Sequence, residues 1–100
     1  MKGPRFTPQA AEEYVAALRW HEAQRTGRGQ AFKASVRAAV MHLRNSPESF
    51  PVVALDFRRV VVRRFPYALF YRVEADQVVV HAVFHTSQNP TKLAGRIGNA

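Results

Sequence analysis

The side chains best able to do chemistry lie in the second half of the chain: Arg58, Arg59, Arg63 and Arg64, then Phe65-Pro66-Tyr67, Tyr71 and Arg72, and further on His81 and His85. Cleaving RNA through its 2′-hydroxyl requires a base for the hydroxyl proton, an acid for the leaving oxygen and a cation for the phosphorane charge. His85, Tyr71 and Arg64 can supply that set by residue type. The same region also suits a surface that only binds, with Arg58, Arg59, Arg63, Arg64, Tyr67, Tyr71, His81 and His85 as contact residues for a partner or target. A third reading has the arginines solubilising exposed strand positions and the tyrosines filling core or groove, and the sequence leaves all three open.

Other chemistries lack support. There is no cysteine, which removes disulfide scaffolds, Cys-based zinc sites and thiol nucleophiles. His21 and His42 fall on different helices, His81 and His85 on a strand, and no HExxH spacing occurs, so no metal is expected. No Gly-x-Gly-x-x-Gly, Walker-type loop or Gly-x-Ser-x-Gly elbow is present, and no cofactor is expected. The amino terminus is not followed by an apolar stretch, and no apolar run approaches the roughly 18 residues of a spanning helix. The expectation is a soluble cytoplasmic protein with no membrane role, folding as one domain over residues 1–100.

Charge is the most informative bulk property. Fifteen Lys and Arg against seven Asp and Glu give a formal +8 and a pI near 11.1. Residues 1–56 carry 8 basic and 5 acidic side chains (+3) and residues 57–100 carry 7 and 2 (+5), so the excess leans to the second half. Such a surface suits phosphate backbones, an anionic membrane or an acidic protein, and charge alone does not choose.

The elements that must position these residues follow from periodicity. After an extended start at Pro4 to Phe6, Thr7 caps a helix with Pro8 at its first position, running to Gln24. Its apolar residues Ala11, Val15 and Leu18 recur at helical spacing. Gly27 and Gly29 turn the chain, and a second helix, with Phe32, Val36, Ala39, Val40 and Leu43 on one stripe, ends at Asn45-Ser46-Pro47. The short link sets the two helices antiparallel. Trp20 and His21 are surface contacts or hairpin packing, and Lys33, Arg37 and Arg44 form a solvated or nucleic-acid-facing stripe.

Three strands follow, Arg58 to Phe65, Tyr67 to Glu74 and Gln77 to His85, with Ala75-Asp76 as a tight hairpin and Pro66 at a strand start, edge or bulge. They form an antiparallel meander. Strict alternation places Val78, Val80, Ala82 and Phe84 on one face of the last strand and Val79, His81, Val83 and His85 on the other. Both faces are largely apolar while two helices cover only one, so the second is covered by a partner or by the tail from Asn89 to Ala100, a short helix or frayed end.

The element order and the strings Arg64-Phe65-Pro66-Tyr67-Ala68-Leu69-Phe70-Tyr71-Arg72-Val73 and Val78-Val79-Val80-His81-Ala82-Val83-Phe84-His85 resemble the RelE/ParE family of bacterial toxins, as do Phe6-Thr7-Pro8, the link around Gly27 and Gly29, and Asn45-Ser46-Pro47. The resemblance implies an α+β fold in which an N-terminal strand and an antiparallel two-helix hairpin pack on a small antiparallel sheet. It also implies an acidic cognate antitoxin, in a toxin–antitoxin hetero-oligomer or beside a toxin homodimer. ParE-like members inhibit DNA gyrase and RelE-like members cut mRNA in the ribosomal A site; the long hairpin and the Arg-Phe-Pro-Tyr strand are more similar to the ParE branch. In the nuclease reading Arg64, Tyr71 and His85 are indispensable and Lys92 or Arg96 assists. Ser87 stands where a family arginine is common, a departure that weighs against nuclease chemistry. A third possibility is a degenerate member that binds its antitoxin or DNA and poisons nothing.

Overall fold

The computed structural model describes residues 2–88 and 90–98. The elements run β1 (Lys2–Phe6), α1 (Pro8–Gln24), α2 (Arg28–Asn45), β2 (Val52–Ala54), β3 (Phe57–Val61), β4 (Tyr67–Glu74), β5 (Gln77–His85) and α3 (Pro90–Gly98). One five-stranded sheet has the order β1-β5-β4-β3-β2. The meander from β2 to β5 is antiparallel, as its short connections require. β1 adds to it in parallel beside β5, pairing Arg5 with Val79 and Phe6 with Val80.

The helical hairpin follows its sequence signals. The Thr7 hydroxyl accepts the Ala10 N–H at 3.2 Å, and Pro8 takes a first-turn position whose missing N–H is no loss. Gly27 adopts φ +90, open to glycine at little cost. At Gly29 a Cβ would lie 2.9 Å from Glu22 Oε1 and 3.2 Å from the Leu18 carbonyl oxygen, so a side chain there would push the helices apart. The Glu22 carboxylate uses that closeness: it accepts N–H groups of Gly27 (3.1 Å) and Gly29 (2.9 Å), so the end of α1 caps the start of α2.

The helices bury Ala10, Ala17, Phe32, Val36, Ala39 and Leu43 against Val60, Leu69, Tyr71, Val78, Val80 and Val83. The opposite face gathers Phe57, Ala68, Phe70, Ala82 and Phe84 under Ile97 and Leu93 of α3. Of the two covers expected for the second face, the carboxy-terminal helix is therefore present; residues 89, 99 and 100 of that segment lie outside the described residues.

Strict alternation along β5 fails. Phe70 pairs with Ala82 but Tyr71 pairs with Val80, which leaves His81 as the extra residue of a bulge. Beyond it the faces exchange: Val83 joins Val78 and Val80 under the helices, while Ala82 and Phe84 pack against α3. β3 also ends at Val61 instead of continuing to Phe65. The chain turns there, with Arg64 at φ +70, the Val62 N–H on the Tyr67 carbonyl (2.8 Å) and the Tyr67 N–H on that of Phe65 (2.7 Å). Pro66 stands just before β4, where it interrupts no ladder bond. The Ala75-Asp76 hairpin has φ of +49 and +62, the mirror-image turn that matches strand twist.

Candidate binding surfaces

Where β4 begins and β5 ends, Tyr67 and His85 pair across the ladder with ring centroids 5.1 Å apart. The junction of α1 and α2 comes down over them. The His21 ring, 2% exposed, lies 5.0 Å from the Phe32 and Phe65 centroids and 5.6 Å from that of Tyr67. Arg28 Nε donates to His21 Nδ1 at 3.0 Å, and since a guanidinium only donates, the ring proton sits on Nε2. Burial first, then the charges of Arg28 and His85, push the His21 pKa below the ordinary histidine value, so the ring is neutral. Among the described residues its Nε2 is buried without a hydrogen-bond partner.

His85 is oriented from the following turn. The Ser87 N–H donates to His85 Nδ1 at 3.0 Å, with the Ser87 hydroxyl 2.6 Å from the same nitrogen, so here too the proton sits on Nε2. The His85 N–H donates to Gln88 Oε1 at 2.7 Å. Ser87, the departure from the family pattern, thus sets the tautomer of its neighbour. Trp20, His21, Arg28, Tyr67, His85 and Ser87 bound a cleft of about 490 Å³.

Tyr71 lies elsewhere. Four residues along β4 separate it from Tyr67, roughly 13 Å at the rise of a strand. It is 0% exposed, and its hydroxyl donates to the Pro47 carbonyl at 2.6 Å. Burial pushes its pKa up, partly opposed by the charge of Arg58. Arg58 itself donates to the carbonyls of Phe50 (2.6 Å) and Glu48 (3.2 Å). Together these two side chains pin the loop between α2 and β2.

Arg59, Arg63 and Arg64 are exposed. Arg59 and Arg63 line a cleft of about 620 Å³ beside His42 and Phe50, and Arg64 occupies the turn before β4. Among the described residues none of the three has an ion-pair partner. The cleft beside Tyr67 that His85 lines includes neither Arg64 nor Tyr71.

His81, at the bulge, is 2.5 Å from Glu74 Oε2, which also accepts Arg72 Nε at 2.6 Å. Arg72 reaches Asp56 at 3.4 Å and lies 4.8 Å over the Phe57 ring. Burial alone would raise the Glu74 carboxyl, but the hydrogen bonds and charges of Arg72 and His81 outweigh it and hold the pKa below the usual value. Glu13 and Arg96 form an ion pair at the same bulge: Glu13 Oε1 accepts the Val83 N–H at 3.0 Å, and Arg96 donates to the His81 carbonyl at 2.7 Å.

Three of these residues, Glu22, Arg28 and Glu13, were not legible as site or framework groups, and Arg96 was named only as an assisting group in the nuclease reading. Glu22 carried a local signal, a carboxylate five and seven residues ahead of two glycines at a helix start. Arg28 had only its place seven residues after His21. Glu13 and Arg96 are 83 residues apart and had no signal as a pair.

The architecture is that of a small α+β protein, two helices on one face of a five-stranded sheet and a short third helix on the other. Residues 5–90 match the family described as the ParE toxin of the type II toxin–antitoxin system parDE. The chain belongs to the ParE toxin family, and an antitoxin is its partner class. A solved structure described as the chromosomal ParDE toxin–antitoxin system from P. aeruginosa is similar in fold, with a TM-score of 0.68 at 20% identity over 85% of this chain and 96% of that one. No curated protein matches in sequence. Among the described residues no helix is long and apolar enough to cross a membrane.

Proposed function

We propose that this chain is a growth-arresting toxin that binds and inhibits DNA gyrase in the cytoplasm, makes or breaks no bond, and is neutralised by an acidic antitoxin. The observation that carries the reading is the match to the ParE branch over residues 5–90. The geometry supports binding over cleavage, because Tyr71 is buried and committed to Pro47 and does not share a cleft with His85. Exposed, unpaired Arg59, Arg63 and Arg64 supply a cationic target surface. For the antitoxin, the apolar groove of Tyr14, Val36 and Val40, flanked by Lys33 and Arg37, suits an amphipathic segment carrying acidic side chains.

The test is a gyrase supercoiling assay titrated with the purified protein. Inhibition near stoichiometric amounts, retained in Tyr71→Phe and reduced in Arg59→Glu/Arg63→Glu/Arg64→Glu, is expected. No inhibition at large excess overturns the gyrase target. Transcripts cut in the ribosomal A site after induction would then assign ribosome-dependent mRNA cleavage, and harmless expression without antitoxin would mark an inactive binder.

A further inference from the structure

We propose that the cleft between the helical hairpin and the end of the β4–β5 ladder is a carboxylate-binding site, made to receive an acidic side chain of a protein partner. The chemistry of its wall carries the assignment. His21 Nε2–H is a buried donor with no acceptor among the described residues, a state rare in folded proteins and one that a ligand oxygen would relieve. His85 presents a second Nε2–H, because Ser87 occupies its other nitrogen. The Tyr67 hydroxyl is a third donor, kept protonated by burial, which raises its pKa. Arg28 uses Nε on His21 and lies over Phe65, leaving its two terminal nitrogens for the paired contact that a carboxylate accepts. No acidic residue lines the cleft.

Charge and shape select the kind of anion. One guanidinium matches a single negative charge. A nucleic-acid backbone presents a run of phosphates and calls for a run of cations, whereas Arg28 is the one cation among the described residues that line this cleft. Trp20, 56% exposed at the rim, offers an indole face for the aliphatic stem of Glu or Asp. The site deepens the protein-binding reading and rests on it only for where the carboxylate comes from.

Long-range 15N–1H spectra of the imidazoles of the intact protein read the site directly. Acetate, dimethyl phosphate and chloride are titrated at constant ionic strength. Acetate is expected to shift the His21 and His85 Nε2 resonances saturably, about tenfold more weakly in Arg28→Gln and several-fold more weakly in Tyr67→Phe, which removes one oxygen only. Shifts that never saturate and are alike for all three anions overturn the proposal, as does an unchanged affinity in both variants. Tighter binding of dimethyl phosphate overturns it in favour of a nucleic-acid backbone. The titration uses no gyrase, so its outcome is separate from that of the supercoiling assay.

Discussion

Glu13 of α1 and Arg96 of α3 meet across the open edge of β5, where β1 has already ended, and stand in for the missing strand. The bulge at His81 frees a carbonyl and the fold leaves the Val83 N–H without a ladder partner; the pair satisfies one each. Arg96→Met is expected to destabilise the protein by about 2 kcal/mol, since it strands both a carbonyl and a carboxylate. Glu13→Gln should cost less, because its amide oxygen still accepts the Val83 N–H. A double-mutant cycle from urea unfolding checks this: a coupling near zero would mean that the two residues act separately.

Glu22 joins the two helices through a cap instead of a hydrophobic contact. Glu22→Ala is expected to cost about 1 kcal/mol. Gly29→Ala should displace the same carboxylate, whose oxygen lies 2.9 Å from the new Cβ. The two losses should then add to less than their sum in thermal unfolding.

The cluster of Arg72, Glu74 and His81 makes stability depend on acid. Glu74 has its folded pKa below the ordinary carboxyl value of 4.5, so the unfolded chain takes up the proton first. Its contribution is complete above about 4.5 and is lost as pH falls through the lower folded value. Arg72→Gln should flatten this part of the profile. Unfolding midpoints measured from neutral pH down to pH ~3 test it, and an unchanged slope in the variant would contradict it.

Buried His21 adds a second dependence at higher pH. Its folded pKa lies below 6.5, so its stabilising contribution is complete above 6.5 and shrinks as pH falls from there through the folded value. His21→Phe keeps a ring among Phe32, Phe65 and Tyr67, removes the orphaned donor and should be neutral or stabilising at pH 7. The variant should lose less stability than the parent on acidification to pH ~5.5. Equal losses in the two proteins would show that His21 does not titrate there.

The local part of this fold was readable, and the long-range part was not. Thr7-Pro8, Gly27 and the apolar stripe from Phe32 to Leu43 act within a few residues, and both helices lie where that pattern puts them. β2 escaped because three residues show no period. The parallel union of β1 with β5 escaped because nothing local records it. The bulge misled more actively: one extra residue shifts alternation by a full face, so Val83 was assigned opposite to Val78 and Val80, with which it packs. The arginines and tyrosines drew notice by type, but type does not separate Tyr71, a buried strut, from Tyr67 at the cleft.

The parallel pairing also governs when the molecule comes into being. Lys2 aligns with Gln77, so the first strand of this sheet to be made waits for the last. The helical hairpin can form early from neighbouring residues, but the sheet beneath it closes only once β5 has been made. A translation product halted before β5 would lack the seat for β1, the ladder beside Tyr67 and the imidazoles of His81 and His85. Synthesis therefore gives the cell an interval in which the poison exists as a lengthening chain without yet having its shape.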